Sequence, residues 1–404
     1  MRQSKDIILL FSTRIVRLFG YGFLSVVLAL YLADAGLSEW GIGALFSLTL
    51  AGDAGVSLWL TTSADRLGRR RMLIVGAALM VIAGVVFLLT RNLVLLAVAA
   101  IIGVISPSGN EIGPFLSIEQ ASLSQLLPAE RRTNVFAWYN LAGSFATALG
   151  ALSGGWLSQA LQTSGWTSID SYRAVLAGYA LAGLAILLCF LGVSRAVEVA
   201  APSATPSLLG LHKSRQVVFK LAGLFSVDAF AGALVVQSLV AYWFSIRFGV
   251  APGVIGSIFF GANVLAGISA LLAVRLAARF GLVNTMVFTH IPSNILLILV
   301  PLMPTLPLAI AVLLLRFSIS QMDVPTRQSY TMAVVAPEER SSASGVTTIA
   351  RSVGASMAPA LSGALLGVPS LISAPFILAG SLKLIYDLSL WRQFHGLTPP
   401  EEAK

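Results

Sequence analysis

Cysteine is nearly absent from this 404-residue chain. A lone Cys189 excludes an internal disulfide and a thiolate metal cluster, and inside an apolar stretch it reads as a small buried side chain. Three scattered histidines do not make a zinc site. Charge is the largest deficit: charged residues are 11% of the chain, against about 25% in soluble domains. There is no Gly-x-x-x-x-Gly-Lys-Ser/Thr loop, so ATP does not drive the chain directly. No serine–histidine–acid set is credible within segments this apolar. The chain is therefore not expected to be an enzyme, and no cofactor or metal is implied. Its net charge of +9 would suit nucleic acid if the basic residues shared one soluble face with stacking aromatics. They are scattered over loop ends instead, so no nucleic-acid partner is expected.

What is abundant is apolar sequence, at 57% of residues. A membrane helix needs roughly 20 apolar residues. Twelve such runs lie near 7–33, 37–62, 72–90, 93–118, 133–161, 172–193, 216–246, 252–274, 282–302, 306–335, 341–367 and 371–391. They are numbered here as spans 1 to 12, and the lipid bilayer is their expected partner. The first run is too long for a cleaved signal peptide and carries Arg14 and Arg17 inside it. With the N-terminus inside, 17 Lys and Arg fall on cytoplasmic segments, while the outer loops hold only Arg91, Arg173 and Arg247. That bias places both termini in the cytoplasm. The expected location is the cytoplasmic (inner) membrane of a bacterium.

The chain divides in two. Residues 194–214 contain Ala-Pro-Ser-Ala-Thr-Pro-Ser and read as a cytoplasmic linker between a six-helix bundle at 1–193 and another at 215–404. The halves echo each other. Pro128-Ala129-Glu130-Arg131 recurs as Pro337-Glu338-Glu339-Arg340, and Leu152-Ser153-Gly154 as Leu361-Ser362-Gly363, both at an offset of 209. Arg66-Leu67-Gly68 returns as Arg279-Phe280-Gly281 at an offset of 213, with Asp65 replaced by Ala278. Repeats of this kind are an architecture of secondary transporters.

Between spans 2 and 3 lies Ala64-Asp65-Arg66-Leu67-Gly68-Arg69-Arg70-Arg71, a charged latch with a glycine for the turn. With Thr61 at its start it resembles the loop signature of the major facilitator superfamily, Gly-x-x-x-Asp-Arg-x-Gly-Arg-Arg, departing only where Thr61 replaces the first glycine. The resemblance covers essentially the whole chain. It implies an all-α fold of twelve transmembrane helices in two pseudo-symmetric bundles, a monomer, and a gating role for Asp65, Arg66, Gly68, Arg69 and Arg70 through contacts between the halves. Span 5 is similar to the signature of proton-driven exporters in its small residues, Ala146, Gly150, Ala151, Gly154 and Gly155, which permit close helix packing. It lacks that signature's proline, and span 4 lacks the exporters' arginine.

A charge at the bilayer centre costs roughly 2.5–3.5 kcal/mol on insertion scales, so charges within spans are candidates for function. In the family spans 1, 4, 7 and 10 line the cavity. The candidates for the substrate or proton site are Arg14, Arg17 and Tyr21 on span 1, Asp53 on span 2, Glu111 and Glu119 on span 4, Asp228 on span 7, Arg316, Asp323 and Arg327 on span 10, and Arg351 on span 11. Arg14 and Arg17 share a helix face, and an arginine–glutamate cluster between spans 1 and 4 is expected. Arg316, Ser320, Asp323 and Arg327 form one stripe, with Asp228 as its nearest acid. Lys383 and Asp387, four apart on span 12, read as a structural pair, and His290 on span 9 as structural too. Pro107, Pro114 and Pro325 are expected to bend spans 4 and 10. The preferred reading is proton-coupled efflux of a small molecule by alternating access. The alternatives are a facilitator or proton symporter for an anionic solute, suggested by the cavity arginines, and more remotely a lipid flippase or membrane sensor.

Overall fold

Among the residues that the computed structural model describes, sixteen α-helices carry the twelve spans. The structure describes residues 2–111, 115–198, 212–336 and 339–396, with only the backbone of residues 2–4, 65, 129, 130, 133, 134, 137, 274 and 341. Eight spans are single helices: α3 (Glu39–Leu67), α4 (Arg69–Leu89), α7 (Ala129–Thr163), α8 (Ser168–Gly192), α11 (Pro252–Phe280), α12 (Leu282–Leu299), α15 (Arg340–Leu366) and α16 (Ala374–Phe394). The other four are broken. Span 1 is α1 (Arg2–Ser25) and α2 (Leu28–Asp34), and span 4 is α5 (Leu93–Ile102) and α6 (Phe115–Leu126). Span 7 is α9 (Arg215–Ala233) and α10 (Gln237–Phe248), and span 10 is α13 (Leu306–Phe317) and α14 (Asp323–Ala333). No strand occurs among the described residues. The fold is the expected twelve-helix architecture.

The broken spans are 1, 4, 7 and 10, and their causes differ. Pro107 lies inside the break of span 4, where no helical N–H is needed. Pro325 sits in the first turn of α14, where its missing donor leaves no bond unmade. Pro114 falls outside the described residues. Spans 1 and 7 break without proline, at Val26-Val27 and Leu234-Val235-Val236. These valine pairs lie 209 residues apart, the offset of the sequence repeat. Two tight turns also repeat, at an offset of 213. Gly68 (φ 104°) joins α3 to α4, and Gly281 (φ 82°) joins α11 to α12, at angles open to glycine.

The chain forms two compact units, Met1–Ser203 with Val236–Phe260, and Ala204–Val235 with Gly261–Lys404. They are not coextensive with the sequence halves, because α10 and the start of α11 belong to the first. In that unit α1 packs on α7 and α8, and α4 on α8. Gly150 and Gly154 make the α1–α7 approach possible: a Cβ there would collide with the carbonyl oxygens of Phe19 and Phe23. Gly155 meets Pro252 and Gly256 in the same way. The turn into α10 is tied to two other breaks. Gln237 Nε2 donates to Ser25 Oγ at 2.7 Å, and Ser238 donates from Oγ to Ser25 O at 2.7 Å and from N to Pro107 O at 2.9 Å. In the second unit α9 packs on α15 and α16, and α12 on α16 and α14. Its core includes Phe225, Met286, Tyr330, Tyr386 and Leu390.

Candidate functional site

Arg14 and Arg17 meet both glutamates of span 4. Arg17 donates from Nη1 and Nη2 to the two oxygens of Glu119 at 2.9 and 2.7 Å, and from Nε to Glu111 Oε1 at 2.8 Å. Arg14 donates from Nη1 to Glu111 Oε2 at 2.6 Å, from Nε to Tyr139 O at 2.9 Å, and from Nη2 to Asn140 Oδ1 at 3.1 Å. On an unbroken helix Glu111 and Glu119 would stand about 12 Å apart along the axis. The break in span 4 removes that separation, so one guanidinium binds both acids. Glu119 also accepts from Thr13 Oγ1 at 2.8 Å and from the Tyr139 hydroxyl, and is wholly buried. Glu111 keeps 14% of its side chain exposed. Four donors close Glu119 in, and of the two acids only Glu111 keeps any exposure.

The second unit builds its network on Asp228 of α9. Its Oδ2 accepts from Arg327 Nη1 and Arg351 Nη1, each at 3.2 Å, and its Oδ1 from Lys383 Nζ at 2.5 Å. Arg327 Nη1 also donates to Asp323 at 2.8 Å, one turn away on α14. Arg351 is 34% exposed at its side chain, and its ion pair is to an Asp228 oxygen that it shares with Arg327. The stripe of span 10 is interrupted by its break, which leaves Arg316 apart. Arg316 Nε is buried without a hydrogen-bond partner, its guanidinium 4.9 Å from the centroid of the Phe317 ring. Ser320 Oγ is also buried and unpartnered.

Lys383 and Asp387 do not pair as the spacing suggested. Lys383 turns to Asp228, and Asp387 is held by His290 Nδ1 at 2.8 Å and by Asn294 Nδ2 at 2.8 Å. Spacing alone misses this, because a side chain four residues away competes with partners from other helices. Tyr139, Thr13, Asn140 and Asn294 carry no charge and gave no signal beside the arginines. Tyr21 is buried in α1, and Asp53 accepts from Ser57 Oγ at 3.2 Å on its own helix.

At the latch, the Asp65 side chain lies outside the described residues, and Arg66 is exposed. Glu198 accepts from the backbone N–H of Arg69 at 2.7 Å and of Arg70 at 3.2 Å, capping α4. The Arg69 side chain reaches Gln125 at 3.0 Å, and that of Arg70 reaches the carbonyls of Phe190 and Leu191 at 3.3 and 2.6 Å.

A family model described as Major Facilitator Superfamily matches residues 10–359. An uncharacterized membrane protein of Saccharomyces cerevisiae is 32% identical over 98% of this chain and 95% of its own length. The chain belongs to the major facilitator superfamily. Solved structures share the fold. A D-xylose–proton symporter superposes with a TM-score of 0.73 at 16% identity, over 98% of this chain and 99% of that one. The nucleoside transporter NupG gives 0.74 at 14% identity, over 98% and 99%. The human organic anion transporter MFSD10 gives 0.64 at 15% identity, over 96% and 100%. This superfamily member is a multi-pass membrane transporter, not an enzyme.

Proposed function

We propose that the protein carries an organic anion across the membrane by alternating access, with Arg316 and Arg351 as the groups that hold it. The charge inventory of the second unit carries this reading. The four cations Arg316, Arg327, Arg351 and Lys383 outnumber the three carboxylates Asp228, Asp323 and Asp387, the last of which is bound by His290. In the first unit Arg14 and Arg17 balance Glu111 and Glu119. A guanidinium with free donors takes carboxylate or phosphate bidentately. The structural neighbours move a sugar, a nucleoside or an anion, and at 14–16% identity they support the scaffold and not the cargo.

Proton-coupled efflux, preferred on the sequence, is the second reading. Its support is Glu111, a partly exposed carboxylate held between two arginines within a span. The latch role of Asp65, Arg66, Gly68, Arg69 and Arg70, the division at 194–214 and a monomeric state belong to the same proposal. The positive-inside bias supports cytoplasmic termini, while the yeast relative lends the bacterial setting no support.

The test is uptake into liposomes holding a pH-sensitive dye, across a panel of anionic, neutral and cationic solutes. Movement of an anion, weakened roughly 10–100-fold in apparent affinity by Arg316→Ala or Arg351→Ala, is the expected result. Movement of a cation against protons, lost in Glu111→Gln, would replace this reading with the exporter.

A further inference from the structure

We propose that His290 and Asp387 form a proton-binding site between α12 and α16, whose occupancy decides which carboxylate Lys383 neutralises. Glu119, Asp228 and Asp323 each hold an arginine, a cation that does not titrate. Asp387 instead holds an imidazole, which unlike a guanidinium can release its proton. His290 is 4% exposed and Asp387 fully buried; the other two histidines, His212 and His395, are exposed. A hydrophobic pair would fill this position without the cost of desolvating an acid.

The surroundings bring few other charges to bear. From α16 come Lys383 and Tyr386, whose ring stands edge-on to the imidazole at 6.2 Å. From α9 comes Asp228, from α14 Asp323 and Arg327, and from α15 Arg351. The packed α13 carries one charge, Arg316. Beyond His290, α12 offers only polar groups: Ser293 Oγ and Asn294 Oδ1 are buried without a hydrogen-bond partner.

Lys383 links this pair to the network. It stands one helical turn before Asp387, yet its ammonium donates to Asp228 Oδ1 at 2.5 Å. When the imidazole holds a proton, His290 and Asp387 neutralise each other and Lys383 serves Asp228. When the proton leaves the ring nitrogen, Asp387 becomes a buried anion without a partner cation. Lys383 then swings toward it, because a buried charge demands compensation. Asp228 is left to Arg327 and Arg351, and Arg351 is drawn off the exposed surface from which it would meet a solute. Proton and anion therefore bind together, and the protein works as a proton–anion symporter. This last step rests on the organic-anion reading; the proton site itself does not.

The test needs no substrate. Infrared difference spectra of the reconstituted full-length protein, between about pH 5 and pH 8, should show an imidazole band titrating and a carboxylate band shifting with it. His290→Gln should abolish both. Asp387→Asn, which preserves size and the contact with Asn294, should remove the carboxylate band. It also serves as the second variant if His290→Gln does not fold. Thermal unfolding of His290→Gln should differ from wild type by an amount that changes with pH, whereas a structural histidine would lower it equally at every pH. Absence of a buried imidazole titration in wild type, or its survival in His290→Gln, would overturn the proposal whatever the fate of the anion reading.

Discussion

The arginines of span 1 are unequal in what depends on them. Arg17 is wholly buried and bound to Glu119 at both guanidinium ends. Removing one partner of such a pair leaves an uncompensated charge. We therefore expect Glu119→Gln to cost about 3–5 kcal/mol, seen as a large loss of thermal stability in detergent. Glu111→Gln should cost far less, because that side chain reaches solvent. Glu339 offers a pH-dependent counterpart outside the spans. It accepts from the backbone N–H groups of His212, Lys213 and Ser214 at 2.7–2.8 Å, just ahead of α9. These bonds hold its carboxyl at about 2, below its ordinary 4.5. A lowered value means stability present above pH 4.5 and lost as pH falls from 4.5 toward 2. The stability gap between wild type and Glu339→Gln should be constant above that window and close within it. In-span charge showed in the sequence where the groups of the first site were, since Arg14, Arg17, Glu111 and Glu119 do meet. It did not show the uncharged Thr13, Tyr139 and Asn140 that complete the site, nor that Lys383 prefers Asp228 to Asp387.

At the level of elements, the apolar runs map onto the helices with little displacement, because a run of bilayer length has few other ways to satisfy its backbone. The breaks were partly legible. Prolines announced those of spans 4 and 10. The valine pairs of spans 1 and 7 announced nothing, since valine is common in unbroken membrane helices. Those breaks depend on tertiary contacts, among them the bond from Gln237 to Ser25. Gln237→Ala should therefore cost about 1–3 kcal/mol locally. The readout is faster deuterium exchange at residues 236–240, with little change in the global melting temperature. Unaltered exchange would show that packing alone holds the turn.

Over the whole molecule, the two sequence halves repeat their breaks but invert their charges. Span 1 carries arginine to a glutamate on span 4, while span 7 carries aspartate to an arginine on span 10. Asp228 lies 211 positions after Arg17, and Arg327 lies 208 after Glu119, close to the repeat offset. The same ion pair thus recurs with its ends exchanged, so one half cannot stand in for the other in chemistry. The proposed orientation can be checked in a Cys189→Ala background. A cysteine at Thr90 should react with an impermeant maleimide on intact cells, and one at Arg71 only after permeabilisation; the opposite pattern would reverse the topology. The broken spans also bear on the lipid. At 12 and 11 residues, α13 and α14 are about 18 and 17 Å long, and neither crosses a hydrocarbon core of roughly 30 Å alone. A jointed span meets a thicker or thinner bilayer by changing the angle at its joint, where an unbroken helix must tilt. Arg316, Ser320 and Asp323 sit at that joint. Acyl-chain length should therefore tune solute affinity in this protein more strongly than it tunes stability.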